Sequence, residues 1–222
     1  MSVGPSSLLR LEKTSLREQA LTALRRAITT GKLAPGTHLV ETELSDALQI
    51  SRGTLREAMR QLQQDGLITA GARGRLSVRH LQDKEIKDLF DVRAALESLA
   101  ARKLCELPDR SAAATALRKA VTEMQRWEAS NLEDRIEADL MFHHTLCHLT
   151  GNDTLLHSWM SLEGSIRMSI MYGGVDRAIK NMNAARHLEI VEAIETGDAD
   201  QAAAKVREHM SGAADTLVSG AA

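Results

Sequence analysis

Residues 51–65 read SRGTLREAMRQLQQD, and this run predicts the helix on which the interpretation of the N-terminal part depends. Ser51 precedes the helix as a candidate N-cap, because a serine oxygen can accept a free N–H of the first turn. Apolar residues recur every three or four positions, as on the buried face of a helix: Leu55, Ala58, Met59 and Leu62. Arg52, Thr54 and Arg56 lie off that stripe in the first turns, where a DNA recognition helix contacts bases and phosphates.

Segments on both sides of this helix predict a winged helix-turn-helix domain over residues 15–80. Two helices precede it and a two-stranded hairpin follows. The predicted helices are 15–30, 41–48 and 52–65, and the predicted strands are 67–70 and 76–79. Arg73, Gly74 and Arg75 would form the tip of the wing, where a narrow DNA groove favours arginine. Charge and helix order alone leave one alternative open, a small helical domain whose arginines are simply solvated.

Composition excludes several classes of protein. The 222 residues are 43% hydrophobic and 26% charged, which is ordinary for a globular chain and excludes a largely disordered one. No apolar run approaches the roughly 18 residues of a membrane span, and the first residues lack the pattern of a secretory signal. Cys105 and Cys147 form no Cys-x-x-Cys motif, which excludes a disulfide framework and a thiolate zinc finger. We therefore expect a cytoplasmic protein without membrane association.

Charge is distributed unevenly along the chain. Residues 1–80 hold 12 Lys and Arg against 7 Asp and Glu, whereas residues 81–222 hold 16 against 23. A basic N-terminal part joined to an acidic remainder suggests that the first part faces nucleic acid. Aromatic residues make up only 2% of the chain, which argues against binding of single strands by base stacking.

From Asp83 onward the sequence predicts about six helices and no strand. Strong helix formers dominate, and the predicted helices span about 83–104, 111–127, 132–150, 154–171, 176–196 and 199–217. The predicted fold class is therefore mainly α, an N-terminal winged helix-turn-helix plus a C-terminal all-α helical bundle. Residues 1–14 would be a flexible tail, 81–84 a linker and 85–218 the bundle domain.

Four side chains of this bundle have the spacing of a metal site. Asp139 and His143 lie four residues apart and so share one face of a helix. His187 and His209 lie 10 and 12 residues from Gly197, which is about 15 and 18 Å along two helices that the tight turn makes antiparallel. The two histidines therefore lie at nearly the same level along the two paired helices. One carboxylate with three imidazoles suits a divalent transition metal such as Zn, Ni or Mn.

Spacing alone leaves other interpretations of these residues open. An Asp–His pair four residues apart can be a simple helix contact, and a histidine in an apolar pattern can be a satisfied core residue. His144 and His148 form a second pair about 100° around the helix, so both pairs cannot face one point. Arg93 borders the buried stripe of its helix and needs an anion, which can be either Glu97 or the carboxylate of an effector.

The N-terminal motifs resemble the DNA-binding domain of the GntR family of bacterial transcription regulators. The resemblance rests on LRRAI at 24–28, GKLAPGTHL at 31–39, LSDAL at 44–48, SRGTLREA at 51–58 and LQQDGLI at 62–68. It implies DNA contacts at Arg25, Arg52, Arg56 and Gly74. Gly53 stands where the family usually has Thr or Ser. Because one recognition helix reads one half-site, we expect a homodimer on an inverted repeat of double-stranded DNA.

The C-terminal motifs resemble the all-helical effector domain of the fatty-acid-regulator-like GntR subfamily (FCD type), in its metal-containing branch. The matching motifs are VRAALE at 92–97, DLMFHHTL at 139–146, GN at 151–152, HLEIVEAIETGD at 187–198 and His209. The resemblance implies that the metal is held by Asp139, His143, His187 and His209. Water or a small carboxylate effector would fill its open positions. Arg93 would anchor that carboxylate, with Arg167 as a second candidate and Asn152 near the pocket.

Together these features predict a transcription repressor whose affinity for operator DNA is modulated by a small carboxylate bound at the metal. In this interpretation residues 85–218 bind the effector and carry the dimer contacts. Two alternatives stay open: a metal-responsive regulator, in which the ion is the signal, and a metallohydrolase, since three histidines with an open metal position can activate water. We expect a regulator and not an enzyme, because catalysis would not need residues 15–80.

Overall fold

The computed structural model describes residues 15–71 and 74–218. Two expectations, the flexible tail at 1–14 and the wing-tip position of Arg73, lie outside the described residues. The described residues form eleven helices and two strands: α1 (Leu16–Thr29), α2 (Glu41–Leu48), α3 (Arg52–Gln64), β1 (Ile68–Ala70), β2 (Leu76–Val78), α4 (Asp83–Cys105), α5 (Ser111–Trp127), α6 (Leu132–His148), α7 (Asp153–Met160), α8 (Glu163–Gly173), α9 (Val175–Asn181), α10 (Ala184–Thr196) and α11 (Ala199–Val218).

The N-terminal domain has the predicted winged helix-turn-helix order. α1 begins at a capping box, in which the Ser15 hydroxyl accepts the Glu18 N–H and the Glu18 carboxylate accepts the Ser15 N–H. α3 begins after Ser51, whose hydroxyl accepts the Thr54 N–H, and its four predicted apolar residues are all buried. β1 and β2 pair antiparallel and form the wing.

The C-terminal part is helical, as predicted, but among the described residues it has eight helices rather than six. The predicted helix 154–171 is divided into α7 and α8, because the Leu162 N–H bonds to the Trp159 carbonyl three residues back and tightens the chain into a turn. The predicted helix 176–196 is divided into α9 and α10, because the Asn183 side chain caps a new helix. The apolar pattern continues through both turns, which is why periodicity alone did not reveal them.

α4 is the central helix of the C-terminal domain and packs along α11. It begins at Asp83, within the expected linker. Most residues on its buried face are apolar, but that face also contains two charged side chains, Arg93 and Glu97. Charged groups inside a core need partners, since an isolated buried charge is strongly unfavourable. Arg93 and Glu97 pair with each other, and Glu97 has further partners on α6 and α7 that are described below.

The two domains meet at α8. A Cβ built on Gly164 would collide with the backbone carbonyl oxygen of Asp65, which follows the last residue of α3, so only glycine permits this approach. The next residue, Ser165, accepts a hydrogen bond of 2.9 Å from Arg79 Nη1, beyond the end of β2. Buried apolar residues form one continuous core across both domains. α8 is therefore packed against the N-terminal domain on one side and the bundle on the other.

Candidate metal centre and DNA interface

Three histidines from three helices converge inside the C-terminal bundle. α6 contains His143, α10 contains His187 and α11 contains His209, and all three side chains are buried. Gly197 ends α10 with a φ of 79°, which reverses the chain and lays α11 against α10. The ring centroids of His187 and His209 are 4.5 Å apart, and those of His143 and His209 are 5.4 Å apart. One nitrogen of each ring lies within 4.8 Å of the others, so the triad could hold a metal ion.

Asp139 lies one helical turn before His143 and borders the three histidines. Its carboxylate oxygens are 3.2 Å from His187 Nε2 and 3.9 Å from His143 Nε2. Burial is the largest influence on this carboxyl and would raise its pKa, but the hydrogen bond from His187 and the nearby cationic groups hold the pKa below its usual value. The competing pair, His144 and His148, stacks ring on ring at 5.9 Å and is not part of the cluster.

Hydrogen bonds determine which nitrogen of two rings faces the cluster. His143 Nδ1 lies 2.6 Å from Glu97 Oε2, and His187 Nδ1 lies 2.9 Å from the Asn183 carbonyl oxygen. A carboxylate is an acceptor only, so Nδ1 of a neutral His143 carries the hydrogen and its Nε2 keeps the lone pair. His187 has an acceptor at each nitrogen, the Asn183 carbonyl at Nδ1 and the Asp139 carboxylate at Nε2. The two Nε2 atoms lie 3.2 Å apart, a distance that either a ring hydrogen or a shared cation can bridge.

Burial shifts the imidazoles of His143 and His209 towards the neutral form that binds metals. Burial lowers the pKa of His143, although the Glu97 carboxylate opposes the effect. Burial, followed by the proximity of His187 and His143, lowers the pKa of His209 well below its usual value. The Nδ1 atom of His209 is buried without a hydrogen-bond partner among the described residues. Such a group is rare in native proteins, and a bound ion or water would satisfy it. The donor set therefore fits a metal.

Arg93 lies beside the cluster in a narrow cavity of about 20 Å³, which Asp139, His143 and His209 also line. Its Nε donates to Glu97 Oε1 at 3.1 Å. Its Nη2 is buried without a partner in the part of the chain that the structure describes. Glu97 is therefore one partner of Arg93, as the sequence allowed, but it leaves a guanidinium nitrogen unsatisfied. That nitrogen can receive an anion.

The sequence indicated Glu97 only as one of two partners for Arg93, whereas the structure places it in contact with three side chains of this site. It is completely buried and accepts hydrogen bonds from Arg93, His143 and Trp159. Burial alone would raise its pKa, but the proximity of His143 and Arg93 and the hydrogen bonds hold the pKa below its usual value. The available signal was an acidic residue on the apolar face of a helix, four positions after an arginine.

Two of the predicted effector residues are not brought to this cavity. Arg167 is bound by Glu137 through both carboxylate oxygens, at 2.5 and 3.0 Å, and by Glu163 at 3.4 Å. Its guanidinium therefore faces carboxylates of the protein rather than the cluster. Asn152 caps α7, where its side-chain oxygen accepts the Leu155 N–H. The side chain of Asn152 therefore stabilises the start of α7.

The predicted recognition residues lie at the N-terminal end of α3. Arg52 is exposed. Arg56 is also largely exposed, although its Nε donates to a Glu41 carboxylate oxygen at 2.8 Å. The hydroxyl groups of Thr54 and Ser51 lie 2.9 Å apart. Two arginines on the open first turns can reach phosphates and base edges without disturbing the core.

Gly74 and Arg25 have different surroundings. Gly74 lies before β2 with a φ of 72°, a left-handed conformation that glycine adopts without strain. Arg25 pairs with Asp65 at 2.7 Å and lines a polar cavity with Glu163 and Arg167 of α8. Asp65 follows the C-terminal end of α3, about 20 Å along the helix from its first residue. The structure therefore does not bring Arg25 together with the recognition residues.

Within residues 15–71 and 74–218, we find no helix with the length and apolar character needed to cross a membrane.

Comparisons with known proteins agree with this architecture. The family described as "Bacterial regulatory proteins, gntR family" matches residues 16–78, and the family described as "FCD domain" matches residues 88–212. The Nta operon transcriptional regulator of Aminobacter aminovorans is 29% identical, over 79% of this chain and 82% of its own length. A probable D-xylose utilization operon transcriptional repressor of Paenarthrobacter nicotinovorans is 26% identical, over 90% of this chain and 88% of its own.

Solved structures show the same fold. A putative transcriptional regulator GntR from Rhodococcus sp. RHA1 superposes with a TM-score of 0.76 at 22% identity, covering 93% of this chain and 99% of that one. The family and these relatives are transcriptional regulators and not enzymes. The two family matches together account for both domains described above. The chain therefore belongs to the GntR family of bacterial regulatory proteins, as a transcriptional regulator with a C-terminal FCD domain.

Proposed function

We propose that this regulator is a repressor whose operator affinity is modulated by a small carboxylate bound beside a divalent metal. The observation that carries the proposal is the buried cluster of Asp139, His143, His187 and His209 next to the unsatisfied Nη2 of Arg93. One carboxylate and three neutral imidazoles leave a divalent ion with a net charge of about +1, which attracts an anion. When bound, the ion supplies a Lewis-acid contact for carboxylate oxygens.

Arg93 supplies the second anchor for the carboxylate. A guanidinium can hold a carboxylate through two parallel hydrogen bonds, and such charge-assisted bonds are stronger than neutral ones. Its Nε remains with Glu97, so Nη2 and the metal would share the ligand. The cavity of about 20 Å³ has room for roughly one water-sized group. A larger effector therefore requires neighbouring side chains to move.

α8 supports the coupling of this cavity to DNA binding. Ile166 and Ile170 of α8 line the cavity, while Gly164 and Ser165 contact the DNA-binding domain. An effector that displaces the two isoleucines must shift the helix that touches the end of α3. A ligand that binds one arrangement of the two domains more tightly than another can change the affinity of the protein for DNA at a distant site.

The partners follow from the N-terminal domain and the relatives. Exposed Arg52 and Arg56 at the start of α3, with Thr54 between them, support contact with double-stranded DNA. One recognition helix reads one half-site, so we infer a homodimer on an inverted repeat. The term repressor follows the printed names of relatives such as the D-xylose operon repressor. Light scattering that finds a monomer both free and on DNA would contradict this part.

The test measures metal content and DNA affinity on the full-length protein. Purified wild type is analysed for bound metals, and its affinity for DNA upstream of its own gene is measured with a panel of small carboxylates. His187→Ala should lose the metal and the carboxylate response. His157→Ala is the matched control, because His157 is exposed and lies outside the cluster. Wild type that binds no metal even after reconstitution would refute the metal site. A DNA response to metal alone would identify a metal-responsive regulator instead.

A further inference from the structure

Glu97 connects three groups that the proposed function treats separately. Its Oε1 accepts hydrogen bonds from Trp159 Nε1 at 2.8 Å and from Arg93 Nε at 3.1 Å. Its Oε2 lies 2.6 Å from His143 Nδ1. All four side chains are buried, so water does not compete for these bonds. One carboxylate thus joins a metal ligand, the effector-binding arginine and α7.

We propose that Glu97 is a positioning residue that locks His143 in the tautomer with its hydrogen on Nδ1 and so presents the Nε2 lone pair to the metal. The inference rests on the proposed metal site and adds a residue that is not itself a ligand. Partners of this kind orient metal-bound histidines in many proteins and make them better donors. Here the same carboxylate also holds Nε of Arg93, a residue that lines the cavity and whose Nη2 has no partner among the described residues.

The hydrogen count of imidazole carries the argument. A neutral ring has one N–H, and an ionised carboxylate can only accept, so the nitrogen that faces Glu97 must be the protonated one. Nε2 of His143 is then the donor atom, and it lies 3.2 Å from Nε2 of His187. The two Nε2 atoms therefore face one point, and the contact with Glu97 ensures that His143 offers its lone pair there.

Glu97→Gln would reverse the tautomer of His143 with almost no change in shape. Two N–H donors, from Trp159 and Arg93, face the position of Oε1, so the glutamine carbonyl oxygen must occupy it. The amide NH₂ group then faces His143 Nδ1 as a donor. Nδ1 can only respond as an acceptor, which moves the ring hydrogen to Nε2 and removes the lone pair from the metal site. A flipped amide would set its hydrogens against both N–H donors.

The experiment measures Zn²⁺ affinity and tautomer in the same variants. Zn²⁺ is titrated into full-length, chelator-treated protein in competition with a metal-binding dye. Glu97→Gln should bind Zn²⁺ about 10- to 100-fold more weakly than wild type, the usual loss for partners of metal-bound histidines. Nitrogen-15 NMR of the metal-free protein should show the His143 hydrogen on Nε2 in Glu97→Gln and on Nδ1 in wild type, a change that a general loss of packing does not produce.

Two further variants keep the test decisive. Glu137→Gln makes the same chemical change on α6, where Glu137 binds Arg167 and not a histidine of the triad, and should leave the Zn²⁺ affinity unchanged. Glu97→Asp keeps an acceptor-only group, so it should keep the Nδ1–H tautomer and bind Zn²⁺ more tightly than Glu97→Gln. If Glu97→Gln does not fold, Glu97→Asp carries the test: an Nε2–H tautomer with wild-type affinity would overturn the proposal.

The measurements distinguish a wrong role for Glu97 from the absence of a metal site. Wild type and Glu97→Gln with equal Zn²⁺ affinity would overturn the role of Glu97 and leave the metal site standing. Wild type without measurable Zn²⁺ affinity would refute the metal site itself. Weaker Zn²⁺ binding with the His143 hydrogen still on Nδ1 would also overturn the tautomer lock, because the loss would then come from charge or packing.

Discussion

At the scale of single residues, Arg93 is the proposed anchor of an acidic effector beside the metal cluster. Arg93→Ala should keep the bound metal, because Arg93 is not a ligand, and should lose the carboxylate response, because the cavity then lacks its guanidinium. Arg118→Ala is the control, since Arg118 binds Glu195 on the surface. Elemental analysis and carboxylate titration of each variant check the prediction. A normal response in Arg93→Ala would assign the anchor to another group.

Substitution of Arg52 and Arg56 tests whether the N-terminal end of α3 contacts DNA. Each change to alanine should weaken operator binding by about 1–3 kcal/mol if the side chain contacts a base, or flatten the salt dependence if it contacts a phosphate. The fold and metal content should not change, because both side chains lie outside the core. Arg60→Ala is the control on the same helix, where Arg60 binds Glu57. Anisotropy across a salt series measures both effects, and unchanged affinity in both variants would contradict the assigned orientation.

At the scale of elements, α8 is the part of the fold that touches both the cavity and the DNA-binding domain. Gly164→Ala would force its Cβ into the Asp65 carbonyl and separate α8 from the end of α3. We therefore expect metal and carboxylate binding to survive while the DNA response to the carboxylate is lost or strongly reduced. Gly212→Ala is the control, because a Cβ there meets only the flexible Arg186 side chain. A wild-type response in Gly164→Ala would exclude α8 as the coupling element.

At the scale of the whole molecule, the metal should stabilise the folded state because it binds side chains of three helices. At a free ion concentration 100 times Kd, binding contributes about 2.7 kcal/mol. For a chain of this size that corresponds to a rise in Tm of about 5–10 °C. Thermal unfolding with Zn²⁺ and with a chelator should show the shift in wild type and His157→Ala and not in His187→Ala. Equal Tm values for wild type under both conditions would contradict the prediction.

Local sequence pattern was enough for most elements of the fold and for the convergence of the histidines. The stripe from Leu55 to Leu62 indicated the buried face of α3, because helical geometry repeats every 3.6 residues whatever surrounds it. The distances of His187 and His209 from Gly197 placed both rings at one level, because a glycine in the left-handed region reverses the chain there. The DNA-contacting roles and the metal itself stay predictions.

Tertiary contacts determined the remaining features of the fold and the site, because they join residues that lie far apart in the sequence. Glu97 contacts Trp159, which lies 62 positions away in the sequence, and is therefore part of the site. Arg167 contacts Glu137, which lies 30 positions away, and is therefore held away from the site. The turns before α8 and α10 also depend on hydrogen bonds that interrupt an otherwise continuous apolar pattern. Periodicity reports which face of a helix is buried, whereas the partner of a buried polar group depends on which other helix packs there.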